Sequence, residues 1–415
     1  MSNQINSTLG DLVKAGGGII HTGPFGSQLH AEDYVAQGIP CIMPANMRDN
    51  RVDLSNISFI SDEDAQRLSK YLVKEGDIVY SRRGNVTLKA LIRRNEVGYF
   101  CGTGCLLLRP GNLLDSDYLT YYLSTPKIQS WIISQAIGAT MPNLNTGILA
   151  RIPFSGPEKA IQEKISSVLK AIDDKLELNN RINTELEAMA KTLYDYWFVH
   201  FDFPDANGKP YKTSGGKMVY NATLKREIPA GWAVNTLSQI ANITMGQSPA
   251  GESYNEDGVG TLFFQGSTDF GWLFPTPRQY TTSPARMAKK GDILLSVRAP
   301  VGDMNIANAD CCIGRGLAAL NSKSRSDGFL FYVMKYFKQV FDRRNAEGTT
   351  FGSMTKDDLH SLQVVCPEPG LLKRYDDIVS EYNKMIFTRS LENQDLIKLR
   401  DWLLPLLMNG QVTVK

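Results

Sequence analysis

The sequence predicts an α+β fold: two tandem mixed α/β modules, each followed by a long helical arm. The two arms are expected to pair as an antiparallel coiled coil, related by an internal pseudo-two-fold repeat. Three observations carry this: a strand-and-turn block that occurs twice, a constant offset between later matching residues, and an apolar seam of period 3.5 in both arms.

The repeated block comes first. Lys74-Glu75-Gly76-Asp77-Ile78-Val79-Tyr80-Ser81-Arg82-Arg83 returns as Lys289-Lys290-Gly291-Asp292-Ile293-Leu294-Leu295-Ser296-Val297-Arg298, and Cys101-Gly102-Thr103-Gly104-Cys105-Leu106 returns as Ile313-Gly314-Arg315-Gly316-Leu317-Ala318. From there the register is constant. Gly138, Thr140, Leu149, Pro157, Glu158, Asn183, Leu186 and Leu193 match Gly348, Thr350, Leu359, Pro367, Glu368, Asn393, Leu396 and Leu403, an offset of 210 each time.

Within each module, short apolar runs lie between Gly, Asn and Pro punctuation and read as strands: Asp77–Tyr80, Cys105–Leu108, Asp292–Leu295 and Leu317–Leu320. Tyr118–Gln135 and Phe329–Asn345 are apolar at helical spacing. The expected divisions are 1–155 for the first module, 156–200 for the first arm, 201–230 for a connector, 231–365 for the second module and 366–410 for the second arm.

The first arm places Ile161, Ile165, Val168, Ile172, Leu176, Ile182, Leu186, Met189, Leu193 and Tyr196 by threes and fours, interrupted at Asn179 and Asn180. The second gives Leu371, Tyr375, Ile378, Tyr382, Met385, Arg389, Glu392, Leu396, Leu399, Leu403 and Leu406. Pro157 and Pro367–Pro369 punctuate the starts, as Pro does near helix N-termini. Both seams turn polar at equivalent places, around Asn179 and Arg389, and polar seam residues fix register at a cost in stability. The alternative, each helix packing on its own module, leaves that match unexplained. About forty residues of helix make a rod of roughly 60 Å.

Composition narrows the function. At ~100–200 residues per domain, 415 residues make two to four domains, and 42% hydrophobic with 21% charged residues is an ordinary globular balance. No apolar run is long enough to span a bilayer, and the start MSNQINSTLGDLV lacks a basic-then-apolar leader. A cytoplasmic protein with its six Cys reduced is expected. A net charge of +2 argues against indiscriminate nucleic-acid binding but leaves room for a local basic surface.

Catalytic patterns are missing. There is no HExxH, no CxxC and no P-loop, and Pro204-Asp205 is followed by no nuclease carboxylate-x-Lys. Neither a metal site nor a catalytic residue is expected. Phe100-Cys101-Gly102-Thr103-Gly104 imitates a methyltransferase cofactor turn, yet Cys105–Pro110 continues as a strand, no Asn/Asp-Pro-Pro-aromatic tetrapeptide exists, and the repeat copy has no Phe. These are read as tight-turn glycines.

The loops instead offer a nucleic-acid surface. Arg82, Arg83, Asn85, Thr87 and Lys89 crowd one loop with Arg93 and Arg94 close behind, while Arg298 and Arg315 occupy the matching zone of the second copy. Arg suits guanine edges or phosphate, and Asn, Gln, Ser and Thr suit other edges. Gln28 and Gln247 lie in the entry loops Gly23–Gln28 and Met245–Pro249 and join the candidates. A bland reading stands beside this one: loop charges are often merely solvated, and Arg83 and Arg298 could each hold a turn through Asp77 or Asp292.

One block is more specific. Leu193-Tyr194-Asp195-Tyr196-Trp197-Phe198-Val199-His200-Phe201-Asp202-Phe203-Pro204, continuing through Asn207–Lys212 and Ser214–Met218 to Leu224–Pro229, resembles the central region of specificity (S) subunits of type I restriction-modification systems. The Gly-Asp-Ile strands followed by Ser-x-Arg, and the duplicated arms, are similar to that family as well. The resemblance implies that each module is a target recognition domain reading one half of a split, asymmetric site in double-stranded DNA. It implies that the arms set the gap, with Ile165, Val168, Ile172, Leu186, Leu193, Ile378, Tyr382, Leu396 and Leu403 in the spacer seam.

It further implies two docked modification (methyltransferase) subunits that supply S-adenosylmethionine chemistry at adenine N6. Restriction (motor and nuclease) subunits would use Mg-ATP, and this chain would hold no cofactor. Two other classes compete. A stand-alone methyltransferase would bind labelled S-adenosylmethionine without partners, and a pure coiled-coil scaffold would lack salt-sensitive, sequence-dependent DNA binding.

Overall fold

A computed structural model of the protein describes residues 4–25, 28–138, 142–346 and 353–414, with the backbone alone at 343–346. Of the repeat matches, Thr140, Gly348 and Thr350 lie outside the described residues, as do Gly26 and Ser27 of the first entry loop. Contacts divide the chain into two compact units, Met1–Leu176 with Asp395–Lys415, and Glu177–Gln394. Each unit therefore takes one module and a piece of both arms.

In the first unit a four-stranded sheet orders Ile19–Thr22, Cys105–Arg109, Ile78–Ser81 and Lys89–Leu91 side by side, all antiparallel. Ile78, Tyr80, Leu106 and Leu108 pack into a core with the helices, while Val79, Cys105 and Leu107 point the other way into a second core. Alternation with both faces covered explains why these strands read as continuous apolar runs. The second core is closed by a sheet of Phe100–Cys101, Ile39–Ile42, Ser58–Ile60 and Tyr34–Val35, whose first pair is parallel.

The second unit repeats this plan. Ala241–Met245, Leu317–Ser322, Ile293–Ser296 and Met304–Ile306 form the central sheet. Ile293, Leu295, Ala318 and Leu320 face the helices, and Leu294, Leu317 and Ala319 face the outer sheet. That outer sheet orders Tyr254–Asn255, Gln279–Thr281, Thr261–Phe264, Cys311–Ile313 and Met287–Ala288. The apolar stretch expected as one helix near Tyr118–Gln135 is two, Ser116–Tyr122 and Pro126–Gln135, because Pro126 restarts the helix at its first turn. Its counterpart Asp327–Ala346 has no such Pro and runs unbroken.

Both arms are single helices, Lys159–Tyr194 and Pro369–Met408, and none in the described residues is long and apolar enough to cross a membrane. Within the first unit Ile165 and Leu169 share a core with Leu403, Leu404, Leu407 and Met408, and Arg400 reaches Asp173 at 3.0 Å. Within the second, Asn179 meets Asn393, Asn183 meets Ser390, and Tyr194 meets Tyr375. One number falls as the other rises, so the arms pair antiparallel.

The seam itself differs from the apolar reading. The buried row is Ile165, Leu169, Ile172, Leu176, Asn179, Asn183, Ala190 and Tyr194, with Leu186 half-buried on the same stripe. A helix cannot skip from Leu176 to Ile182 without leaving its own stripe, so the heptad continues through the asparagines and Met189 is left exposed. Leu169 replaces the expected Val168, and in the second arm fully buried Val379 replaces Ile378, which is 37% exposed. Leu193, Tyr382, Leu396 and Leu403 are half-buried. The polar layer of the second arm is Ser390 and Asn393, displacing Arg389. Asn179 donates to Asn393 Oδ1 at 2.9 Å and to Glu392 at 2.7 Å, and Asn393 donates to Asn180 at 2.8 Å.

The block that carries the family resemblance is a packing device. The first arm ends in a π-helical turn, Asp195–Val199. Phe198 sits 4.9 Å from Tyr375 and 5.0 Å from Phe329, while Phe203 stacks on Tyr211 and Trp232. Those rings fasten the end of the arm to the second unit.

Candidate nucleic-acid interface

Each unit builds its candidate surface on two backbone turns pressed together. A Cβ on Gly23 would lie 2.2 Å from the Gly102 carbonyl oxygen, and one on Gly246 would lie 2.1 Å from that of Gly314. Only glycine tolerates that approach in the entry turns, and the first glycine of each Gly-x-Gly pair is held likewise, a Cβ on Gly102 meeting Ile42 O at 2.8 Å and one on Gly314 meeting Gln265 O at 2.9 Å. A third turn abuts them: Arg82 N–H donates to Gly104 O at 2.8 Å, and Val297 N–H donates to Gly316 O at 2.9 Å.

That third turn holds Arg83 and Arg298. Ser81 Oγ donates to the Arg83 carbonyl at 3.0 Å, and Ser296 Oγ to that of Arg298 at 2.8 Å. Arg83 bridges to Asn143 and Arg298 to Ser353. Both side chains are exposed, and among the described residues neither guanidinium has an ionic partner. The carboxylate alternative fails: Asp77 is gripped by Arg109 at 2.7 and 2.5 Å, and Asp292 accepts from Asn321 at 2.9 Å. Serine and backbone fix these turns, which leaves the arginines free to project.

The remaining loop residues separate. Asn85 Oδ1 accepts from the Thr87 N–H at 3.1 Å and hydroxyl at 2.7 Å, so this pair shapes the loop. Arg82 is half-buried, its Nε without a partner. Arg93 is committed to Asp117 at 2.6 Å.

Lys89 must be withdrawn as a surface contact. It is 3% exposed, paired with Tyr80 in the central sheet, its ammonium 5.9 Å from that ring, and desolvation pushes its pKa down to about 7. The loop reading failed because Lys89 begins a strand, whose inward face is covered. Gln28 is anchored as well, its side-chain oxygen accepting from Tyr71 at 2.8 Å.

Gln247 and Arg315 do come together. With Ser248, Pro249, Tyr254, Gln265 and Gln279 they line a pocket of about 610 Å³ in the second unit, and no carboxylate contributes to its wall. Gln265 donates to Ser248 Oγ at 2.9 Å, and the Gln247 N–H donates to Ile313 O at 3.0 Å. The sequence did not single out Gln265 or Gln279 as contacts. Strand pairing brings them there: Gln265 follows the strand Thr261–Phe264, whose Phe264 lies beside Ile313 at the start of the turn.

Comparison with known proteins agrees with this architecture. The family model described as "Type I restriction modification DNA specificity domain" matches residues 4–188 and 229–371. The chain is 30% identical over 389 residues to the putative type I restriction enzyme MjaX specificity subunit of Methanocaldococcus jannaschii, covering 91% of this chain and 88% of that one. It is 23% identical to the type I restriction enzyme HindI specificity subunit of Haemophilus influenzae, over 89% of this chain and 94% of the relative. The fold is similar to the crystal structure of the type I restriction-modification S subunit of M. genitalium, with TM-score 0.60 and 18% identity over 98% of this chain and 96% of that one. A family model covering both modules, and a relative alike along nearly the whole length, show that this chain belongs to the type I restriction-modification DNA specificity family.

Proposed function

We propose that this chain reads DNA for a type I restriction-modification enzyme, each unit binding one half of a split, asymmetric duplex site while the paired helices set the gap. The observation that carries this is duplication of a frame whose turns are fixed by glycine, serine and backbone, leaving Arg83, Arg298, Gln247 and Arg315 exposed and, among the described residues, without a side-chain partner. Phosphate contacts position a protein on DNA and base contacts specify the sequence, and the frame offers groups suited to each.

The chain itself is non-catalytic in this reading. Two modification subunits dock on the helical arms and carry S-adenosylmethionine chemistry, and restriction subunits bring Mg-ATP. The test is co-expression with its modification subunits, followed by genome-wide mapping of N6-methyladenine. A two-part motif with a fixed gap is expected, and methylation at scattered or contiguous sites would refute the proposal.

A further inference from the structure

We infer that the face where the entry turn meets the Gly-x-Gly turn is the base-reading surface of each unit, and that five positions on it set the two half-sites apart. The inference rests on the function proposed above and names the residues that perform it.

Hydrogen bonds align the two frames residue by residue. Gly23 N–H donates to Cys105 O and Gly246 N–H to Leu317 O, both at 2.9 Å. Gly102 N–H donates to Ile42 O at 2.9 Å and Gly314 N–H to Phe264 O at 2.8 Å. Cys101 lies beside Ile42 in a parallel pair, and Ile313 beside Phe264. Ser58 lies opposite Cys41 and Gln279 opposite Phe263, while Tyr34 lies opposite Ile60 and Tyr254 opposite Thr281.

On this common frame Tyr34 corresponds to Tyr254, and the rest diverge. Pro24 and Phe25 stand where the second unit has Gln247 and Ser248. Met43 stands for Gln265, Ser58 for Gln279 and Thr103 for Arg315. What holds the frame is shared, and what projects from it is not.

The chemistry of the two sets differs in kind. Among the described residues the side chains of Gln247, Gln279 and Arg315 have no hydrogen-bond or ion-pair partner, although they line one pocket. A phosphate accepts hydrogen bonds only, so a wall that mixes amide acceptors with donors fits a base edge better. Glutamine matches adenine N6 and N7, and arginine matches guanine O6 and N7. The second unit is therefore assigned a half-site that contains a guanine read by Arg315 and adenine read by the glutamines.

In the first unit the same face is largely apolar. Phe25 is 59% exposed, Thr103 Oγ1 donates to Met43 Sδ at 3.8 Å, and the Tyr34 and Thr103 hydroxyls lie 3.5 Å apart. Thioether, phenyl and threonine methyl groups suit the methyl of thymine. This unit is assigned a half-site that contains thymine at the matching step.

The test uses the full chain co-expressed with its modification subunits, read by mapping N6-methyladenine. Arg315→Ala is expected to cut discrimination about ten- to a hundredfold at one position in one half of the motif, leaving the other half unchanged. The pair Gln265→Met with Arg315→Thr is expected to change the preferred base in that same half. Thr103→Val and Met43→Gln are expected to act only on the opposite half. Thermal midpoints of the purified complexes check folding, and because Arg315 and Gln265 are exposed, no shift is expected for their variants.

If the motif of a folded Arg315→Ala complex is unaltered, or both halves relax equally, the assignment is overturned while the proposed function stands. A wild-type complex that marks no two-part motif overturns the proposed function, and this assignment with it.

Discussion

Arg83 and Arg298 show how a repeated residue can be excluded from a structural role. Both side chains project from turns that serine and backbone hold without them. Replacing either by Ala is expected to weaken DNA binding evenly across sequences and to reduce the slope of log K against log salt by about one, with little change in thermal stability. A sequence-dependent loss, or an unfolded chain, would contradict that. Lys89 gives the opposite lesson. Its pKa falls from 10.5 to about 7 because burial disfavours the charged form. Between those values the unfolded chain holds a proton that the folded chain lacks. Lys89 therefore makes stability rise with pH from about 7 to 10.5 and weakens the fold as pH drops through that window. Denaturant unfolding at pH 7 and pH 10 is expected to show a larger gain for wild type than for Lys89→Met, and equal gains would mean that Lys89 is hydrated. No sequence pattern separates these two kinds of cation, since both follow Gly-Asp-Ile strands, and Lys89 is covered because it stands in a strand while Arg83 and Arg298 stand in turns.

Among the elements, the arms were legible in type and misread in detail. Periodicity predicted two paired helices, but following apolar residues alone steered the seam onto Val168, Ile378 and Met189. Helical geometry keeps one stripe, so Asn179, Asn183, Ser390 and Asn393 occupy it and hydrogen-bond across it, Asn179 to Asn393 and Asn183 to Ser390. Asn393→Ala removes an acceptor from buried Asn179 and is expected to cost about 1–3 kcal/mol in urea unfolding. Asn179→Leu with Asn393→Leu replaces both partners by apolar groups and is expected to recover most of that loss, with looser control of register. If the double variant were as unstable as the two single variants added together, the pair would not be coupled. The Pro126 break is the other lesson: a smooth apolar stretch hid a helix restart that the proline itself announces.

For the whole molecule, the helices act as the spacer in the proposed function. Inserting four residues after Glu187 adds about one turn, ~6 Å, and is expected to widen the gap between methylated half-sites by about one or two base pairs. An unchanged gap would refute the spacer role. By itself the sequence determined the duplication, the α+β class, the pairing of the arms and the family resemblance, because each is written in local pattern: an offset, a period or a contiguous block. Which residues form the surface was decided only by tertiary structure. Exposure depends on what lies across a sheet and not on neighbours along the chain, so burial claimed Lys89 while strand pairing brought Gln247, Gln265, Gln279 and Arg315 to one pocket.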